Sequence, residues 1–256
     1  MIKIQCIGLI TIVRREVSRV FRIWPQTLMP SVITITLYFL IFGAFIGQKI
    51  GLIKDVSYMT FILPGLILLP IITNSFANVA STFFSAKFQK NIEELLVSPL
   101  DEVTILLGYI SGGIVRGALV GCLVMGVASF FWTGSIHHIG LVIITGILTT
   151  LLFSIGGLIN GIFARKFDDI SVIPTFILTP LSYLGGVFYS IDLLPPFWQK
   201  VTLFNPILYL INIFRFGFIG VTDIPIKGAF FVLIGLVITL FLISVYLLKK
   251  GYGIRT

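Results

Sequence analysis

The chain has 256 residues, 57% of them hydrophobic and 11% charged, with a mean hydropathy of +1.09. These values exclude a soluble domain and require a polytopic membrane protein. The net charge of +8 does not indicate nucleic acid, because the basic residues cluster beside apolar runs without any nucleic-acid-binding motif, as expected where positive charge stays on the inner side.

Residues 1–29 read as an amphipathic helix in the headgroup region. Cys6, Leu9, Ile10, Val13, Val17, Val20, Phe21 and Trp24 form one stripe, opposite Arg15, Ser18, Arg19 and Arg22. The apolar stretch before Arg14 is too short to span and lacks a small-residue cleavage site, so it is not read as a signal peptide. Six runs approach the roughly 20 residues needed to cross a bilayer. They are residues 30–46, 58–82, 103–132, 139–163, 170–189 and 230–248, which makes the expected fold an all-α polytopic membrane protein.

Between the second and third runs lies a charged island, residues 83–100. As a single helix it places Phe84, Phe88, Ile92, Leu95 and Leu96 on one stripe and Lys87, Lys90, Asn91 and Glu94 on the other. Ser98-Pro99 ends it. Such a helix lies flat on a membrane surface; the alternative is an ordinary solvated loop. Residues 190–227 form a second irregular stretch, broken by Pro195-Pro196 and Asn205-Pro206, and are expected as a re-entrant or outer-surface segment before the last span and cytoplasmic tail at 228–256.

Charge asymmetry sets the expected orientation. Six spans with both termini in the cytoplasm place 12 of the 18 basic residues inside, Arg255 among them. Lys49, Lys54, Lys200, Arg215 and Lys227 fall outside, and Arg116 lies within the third span. None of the ten acidic residues lies deep in a span, which argues against a proton- or sodium-driven transporter. No phosphate-binding loop, metal-ligand spacing or catalytic constellation is present, and His137-His138 reads as a solvated loop pair. The two cysteines, Cys6 and Cys122, read as packing residues.

The strings NIEELLVSPL at 91–100, TPLSYLGGVFYSIDLLPPFW at 179–198 and FNPILYLINIFRFGF at 204–218 resemble signature regions of the ABC-2 family of exporter permeases. The resemblance covers essentially the whole chain. It implies one transmembrane domain over residues 1–256 that dimerises with a second copy of itself and works with two copies of a cytoplasmic ABC ATPase. ATP and Mg are then expected in the partner ATPase, this chain being non-catalytic and binding no cofactor. By the same resemblance the first cytoplasmic loop is a coupling helix, matched by Asn91, Ile92, Glu93, Glu94, Leu95 and Leu96, with Lys87 and Lys90 beside them on the polar stripe. Family members export polysaccharides, lipid-linked glycans, drugs or other amphiphiles, which implies a bacterial inner-membrane location and contact with membrane lipid. Two other classes stay open on the residues alone: a channel or secondary transporter, and a non-transporting structural subunit.

Single residues within the spans carry further expectations. A lone Arg116 costs roughly 2.5–3.5 kcal/mol in a span centre and needs a partner, for which Glu93, Glu94, Asp168 and Asp169 are candidates. Asn74 and Asn78 share a helix face and either line a conduit or bond between helices. Tyr183 and Tyr189 read as an aromatic girdle or a sugar-stacking surface. Gly108, Gly112, Gly113, Gly117 and Gly121 give the third span a face for close packing.

Overall fold

The computed structural model describes residues 2–253, without the side chains of Ala44, Gln48 and Leu96. Arg255 and the Leu96 side chain, both used in the reading above, lie outside the described residues. Helix α1 (Ile2–Arg22) opens the chain, and only Ile23 separates it from α2 (Trp24–Tyr38). Burial in α1 does not follow the apolar stripe. Ile12, Glu16 and Val20 are buried, whereas Cys6, Ile10, Phe21 and Trp24 are exposed. Glu16 and part of Arg19 therefore turn toward the protein, while Arg15, Ser18 and Arg22 stay exposed along with half of the apolar stripe.

The first span starts six residues earlier than expected. Pro25 occupies the first turn of α2, where a missing N–H costs nothing, and the helix passes through Pro30. It continues as π-helical turns over Phe39–Ile46 and ends in α3 (Gly47–Ile50). A two-residue hairpin follows, with β1 (Leu52–Ile53) antiparallel to β2 (Val56–Ser57) and Leu52 opposite Ser57. Lys54 and Asp55, at φ 49° and 63°, supply the left-handed pair that a tight hairpin requires. This hairpin is the departure from the expected all-α architecture.

Helix α4 (Tyr58–Phe88) is the axis of the bundle. Its 31 residues extend about 46 Å, well beyond a hydrocarbon core of about 30 Å. Of its most apolar window 78% is buried, against 22% for α12 (Ile226–Lys250), which lies at the periphery. It packs on α6 (Glu102–Phe131) and α7 (Ile139–Phe163). Glycine permits this closeness, because a Cβ on Gly157 would sit 2.3 Å from the carbonyl oxygen of Phe76. One on Gly113 would sit 2.2 Å from Ser154 Oγ and 2.9 Å from the Ser75 carbonyl. The small-residue face of the third span is thus used within the chain, against α4, α7 and α1.

The fifth expected span is shorter than its apolar run. It comprises α8 (Asp169–Ile173), π-helical turns over Pro174–Leu178, and α9 (Thr179–Leu184). Those 16 residues reach only about 24 Å. Gly186, at φ 75°, takes the chain out of helix, so Tyr189 lies beyond the element and not within a span. Next come α10 (Pro196–Thr202) and α11 (Pro206–Ile219), which meet at 89°. Asn205 caps α11 by accepting from the Ile207 N–H at 3.0 Å. Ile207, Leu208, Leu210, Ile211, Phe214 and Phe218 bury α11 among α4, α7 and α12. Among the described residues five helices are long and apolar enough to span a membrane, or six if the right-angle pair counts as one.

Candidate coupling surface and interhelical polar layers

The 83–100 stretch divides into two pieces instead of forming one flat helix. Phe83–Phe88 are the last turns of α4, and α5 (Asn91–Val97) is a separate short helix. The break is at Lys90, whose left-handed conformation (φ 61°) reverses the chain after Gln89 N–H closes the final turn on the Ser85 carbonyl. Ile92 anchors α5 at 0% exposure, and Leu95 is half-buried beside it. Lys90, Asn91, Glu93 and Glu94 are exposed on the free face. Both glutamates lie in the first turn, where the helix dipole favours negative charge.

Lys87 does not belong to that free face. Its ammonium donates to the carbonyls of Ile162 at 2.6 Å and Ala164 at 2.8 Å, satisfying oxygens left over at the end of α7. It braces α4 against α7. Phe84 and Phe88 complete the same junction by packing on Phe167, with ring centroids 4.9 and 5.1 Å away.

Gln5 of α1 holds the far side of α5, a role that sequence reasoning missed. Its Nε2 donates to the Pro99 carbonyl at 2.9 Å, and its Oε1 accepts from Asp101 N–H at 3.0 Å and Thr104 Oγ1 at 2.9 Å. Asp101 makes no side-chain cap of its own, so Gln5 caps α6 across space. The only signal in the sequence is one amide within an apolar run.

The expected asparagine face is real, and each asparagine holds an arginine. Arg116 donates to Asn74 Oδ1 from Nε at 3.1 Å and Nη2 at 2.8 Å, and Asn74 Nδ2 donates to Ser31 Oγ at 2.9 Å. The carboxylates proposed as partners for Arg116 do not reach it. Its charge is met instead by an amide that joins α2, α4 and α6. Arg19 Nη2 donates to Asn78 Oδ1 at 3.0 Å and to Thr82 Oγ1 at 3.2 Å, tying α1 to α4. Tyr183, about half exposed, belongs to neither layer and lines a groove of about 290 Å³ with Ser31, Tyr38 and Ser182. Tyr189, half-buried, lies apart from that groove.

The opposite end of the bundle carries an ionic knot that the sequence did not reveal. Arg215, counted above as an outer charge, is at 0% exposure, and its Nη1 lies 3.4 Å from Asp223 Oδ2. Its Nη2 donates to the Gly186 carbonyl, and the guanidinium stacks 3.8 Å from the Phe61 ring centroid. Asp223 also accepts from Ser190 Oγ at 2.7 Å and from Lys54, which reaches Asp192 at 2.9 Å. One buried pair thus fastens α11, the β-hairpin and the loop after α9. The backbone N–H groups of His137 and His138 close the same end on the Phe218 and Gly217 carbonyls, at 3.1 and 2.7 Å.

The sequence pattern of the ABC-2 type transporter family matches residues 8–219. The chain is 52% identical over 256 residues, the full length of both proteins, to the inner membrane transport permease YadH of Escherichia coli (strain K12). It is 25% identical over 213 residues, 81% of each chain, to nodulation protein J of Rhizobium leguminosarum bv. viciae. The nodulation protein J of Neorhizobium galegae is 24% identical over 237 residues, 90% of this chain and 88% of its own. Spanning helices, the break at 185–206 and the match over most of its length together place the chain in the ABC-2 type transporter family.

Proposed function

We propose that the chain is the transmembrane permease subunit of an ATP-driven exporter of the bacterial inner membrane, and that α5 receives the work of a separate ABC ATPase. The observation that carries this reading is the division of labour on α5. Ile92 is buried to fix the helix on the bundle, while Asn91, Glu93 and Glu94 stand free at one end of the longest helix. Gln5 and Lys87 tie both flanks of α5 to neighbouring helices, so a push on it reaches α1, α4, α6 and α7.

Positive-inside asymmetry puts this end in the cytoplasm together with both termini. The α10–α11 pair is then re-entrant from the outer side. Two permease copies and two ATPase copies form the working unit, with ATP and Mg bound in the ATPase. The substrate is amphiphilic, lipid-linked or polysaccharide-like, or a drug. Support for that class comes from spans rich in exposed apolar surface, together with the hydroxyl-lined groove beside Tyr183.

The double substitution Glu93→Lys with Glu94→Lys tests the reading. Partly desolvated interfacial charges are worth a few kcal/mol, so ATPase affinity should fall about 10- to 100-fold while insertion and folding persist. Asp101→Lys, on the exposed loop past Pro99, should change affinity less than about threefold. Equal effects of the two changes, measured by co-purification titration, would remove α5 as the docking element.

A further inference from the structure

Helices α6 and α7 touch along one part of their length and separate along another. A Cβ on Gly113 would sit 2.2 Å from Ser154 Oγ, and one on Gly117 would sit 2.7 Å from Thr150 Cγ2, so the two helices pack directly there. One turn further, a Cβ on Gly121 would meet only Ile71 of α4, and one on Gly146 would meet nothing within 4 Å. The gap closes again near the end of α6, where Trp132 packs on Phe218 with ring centroids 5.1 Å apart and Gly217 lies against Leu141 and Val142. Between these contacts is a crevice of about 400 Å³. Its inner wall is buried Ile67, Ile71 and Phe214, whereas Cys122, Ile143 and Ile147 at its rim are exposed.

Depth and chemistry restrict what can enter. The lining runs from Ile114 to Met125 on a helix that ends at Phe131, which places the crevice about 10–25 Å from that end and within the hydrocarbon core. Among the described residues that line it, Thr150 carries the one hydroxyl, and its Oγ1 already donates to the Ile147 carbonyl at 2.9 Å. No charged side chain lines it. Water would find no partner there, and an apolar cavity of even ~150 Å³ stays dry. Left empty, the crevice would deprive its lining of dispersion contacts on one side.

We propose that the crevice holds an acyl chain of a bilayer phospholipid, taken from the leaflet on the side of the 132–138 loop. The rim continues into exposed Leu123, Phe130 and Ile144, so the mouth opens on the surface that meets lipid tails. Gly121 and Gly146 leave a slot that a flexible chain can follow down to Ile71, while a flat helix face of a second copy would stop at the rim. If ~150 Å³ accommodates one benzene, this volume accommodates a chain segment of about a dozen carbons. A chain already in lipid gains nothing from leaving water, so shape and contact select it, and no lining group is placed to read a headgroup. The chain completes the packing of α6 and α7 around α4 in that leaflet. This site is separate from the groove beside Tyr183 and depends neither on the transported substrate nor on the partner ATPase.

Photo-labelling of the full-length permease in nanodiscs tests the site, using phosphatidylcholine with a diazirine on one acyl chain. Transfer into detergent before irradiation removes loosely held lipid. Peptide mapping should then find adducts at Cys122, Met125 and Ile147 severalfold above those at Phe130 and Phe231, which are 87% and 79% exposed. Phosphatidylglycerol with the same chain should give the same map. Gly146→Phe, whose ring would fill the slot, should remove these adducts, and Gly146→Ala should keep them. Native mass spectrometry of the permease purified from its own membrane should show a retained phospholipid. Even labelling of all lipid-facing positions in wild type would mean ordinary boundary lipid and overturns the proposal, as does a retained amphiphile that is not a phospholipid. A disulfide joining Cys122 of two copies on mild oxidation of the membranes would seat a second copy at the crevice and overturns it as well. The wild-type map decides even if Gly146→Phe does not fold.

Discussion

Arg215→Ala should destabilise the permease by about 3–5 kcal/mol, because it leaves Asp223 as an uncompensated buried carboxylate. Both side chains of the pair are at 0% exposure, so water cannot take over the lost contact. The Gly186 carbonyl and the Phe61 ring lose their partner in the same step. By thermal unfolding in detergent the midpoint should drop by about 6–20 °C, and adding Asp223→Asn should restore part of it. A drop no larger than that of an exposed change such as Lys200→Ala would show that the knot is not structural.

The same knot sets a pH dependence with a definite sign. Burial alone would push the Asp223 carboxyl up, yet hydrogen bonds from Lys54 and Ser190 and the charge of Arg215 hold it below the usual aspartate range. A depressed carboxyl contributes stability that is present above its unfolded pKa, about 3.9, and is lost as pH falls through the lower folded value. Acid unfolding of wild type should therefore be steeper than that of Asp223→Asn.

Gly157→Leu should be the most damaging single change within the spans. A Cβ there meets the Phe76 carbonyl at 2.3 Å, which is backbone and has no rotamer to yield, so α4 and α7 must separate. Overpacking of this kind costs about 1–3 kcal/mol even where side chains can shift, and here it strikes the most buried helix. Gly157→Ala should already lower the yield of folded protein by severalfold. Gly146→Ala on the same helix meets nothing within 4 Å and should match wild type. Equal yields of folded protein from the two alanine variants would contradict the close α4–α7 contact.

Five of the six expected spans could be read from apolar length alone, since a bilayer demands about 20 residues and few other contexts supply them. The fifth could not, because its apolar run to Tyr189 hides a glycine turn at Gly186 that stops the helix early. Asn74 and Asn78 were legible as a shared face by helical spacing, but their arginine partners were not. The pattern puts Arg19 on the polar flank of a surface helix, and pairs Arg116 with carboxylates that do not reach it. The first error arises because an amphipathic pattern reports where the apolar stripe lies and not which flank meets the bundle, and the second because a charge in a span can be met by an amide as well as by a carboxylate. On α5, the buried Ile92 and the exposed Asn91 and Glu94 followed from pattern, whereas Lys87 was misplaced because the left-handed turn at Lys90 carries no sequence mark. Arg215 and Asp223 are eight residues apart, yet they meet only because Gly220 reverses the chain after α11, and their other partners, Gly186, Phe61 and Lys54, come from separate elements, so the knot was not legible in the sequence.

The central claim, that α5 is where a partner ATPase meets this permease, is tested most directly by photo-crosslinking in cells. A photoreactive residue placed at Glu93 or Glu94, on the exposed face, should yield an adduct that mass spectrometry identifies as an ABC ATPase. The same residue at Lys54, in the hairpin at the opposite end, should yield none. ATPase adducts from Lys54, or none from either position on α5, would contradict the account.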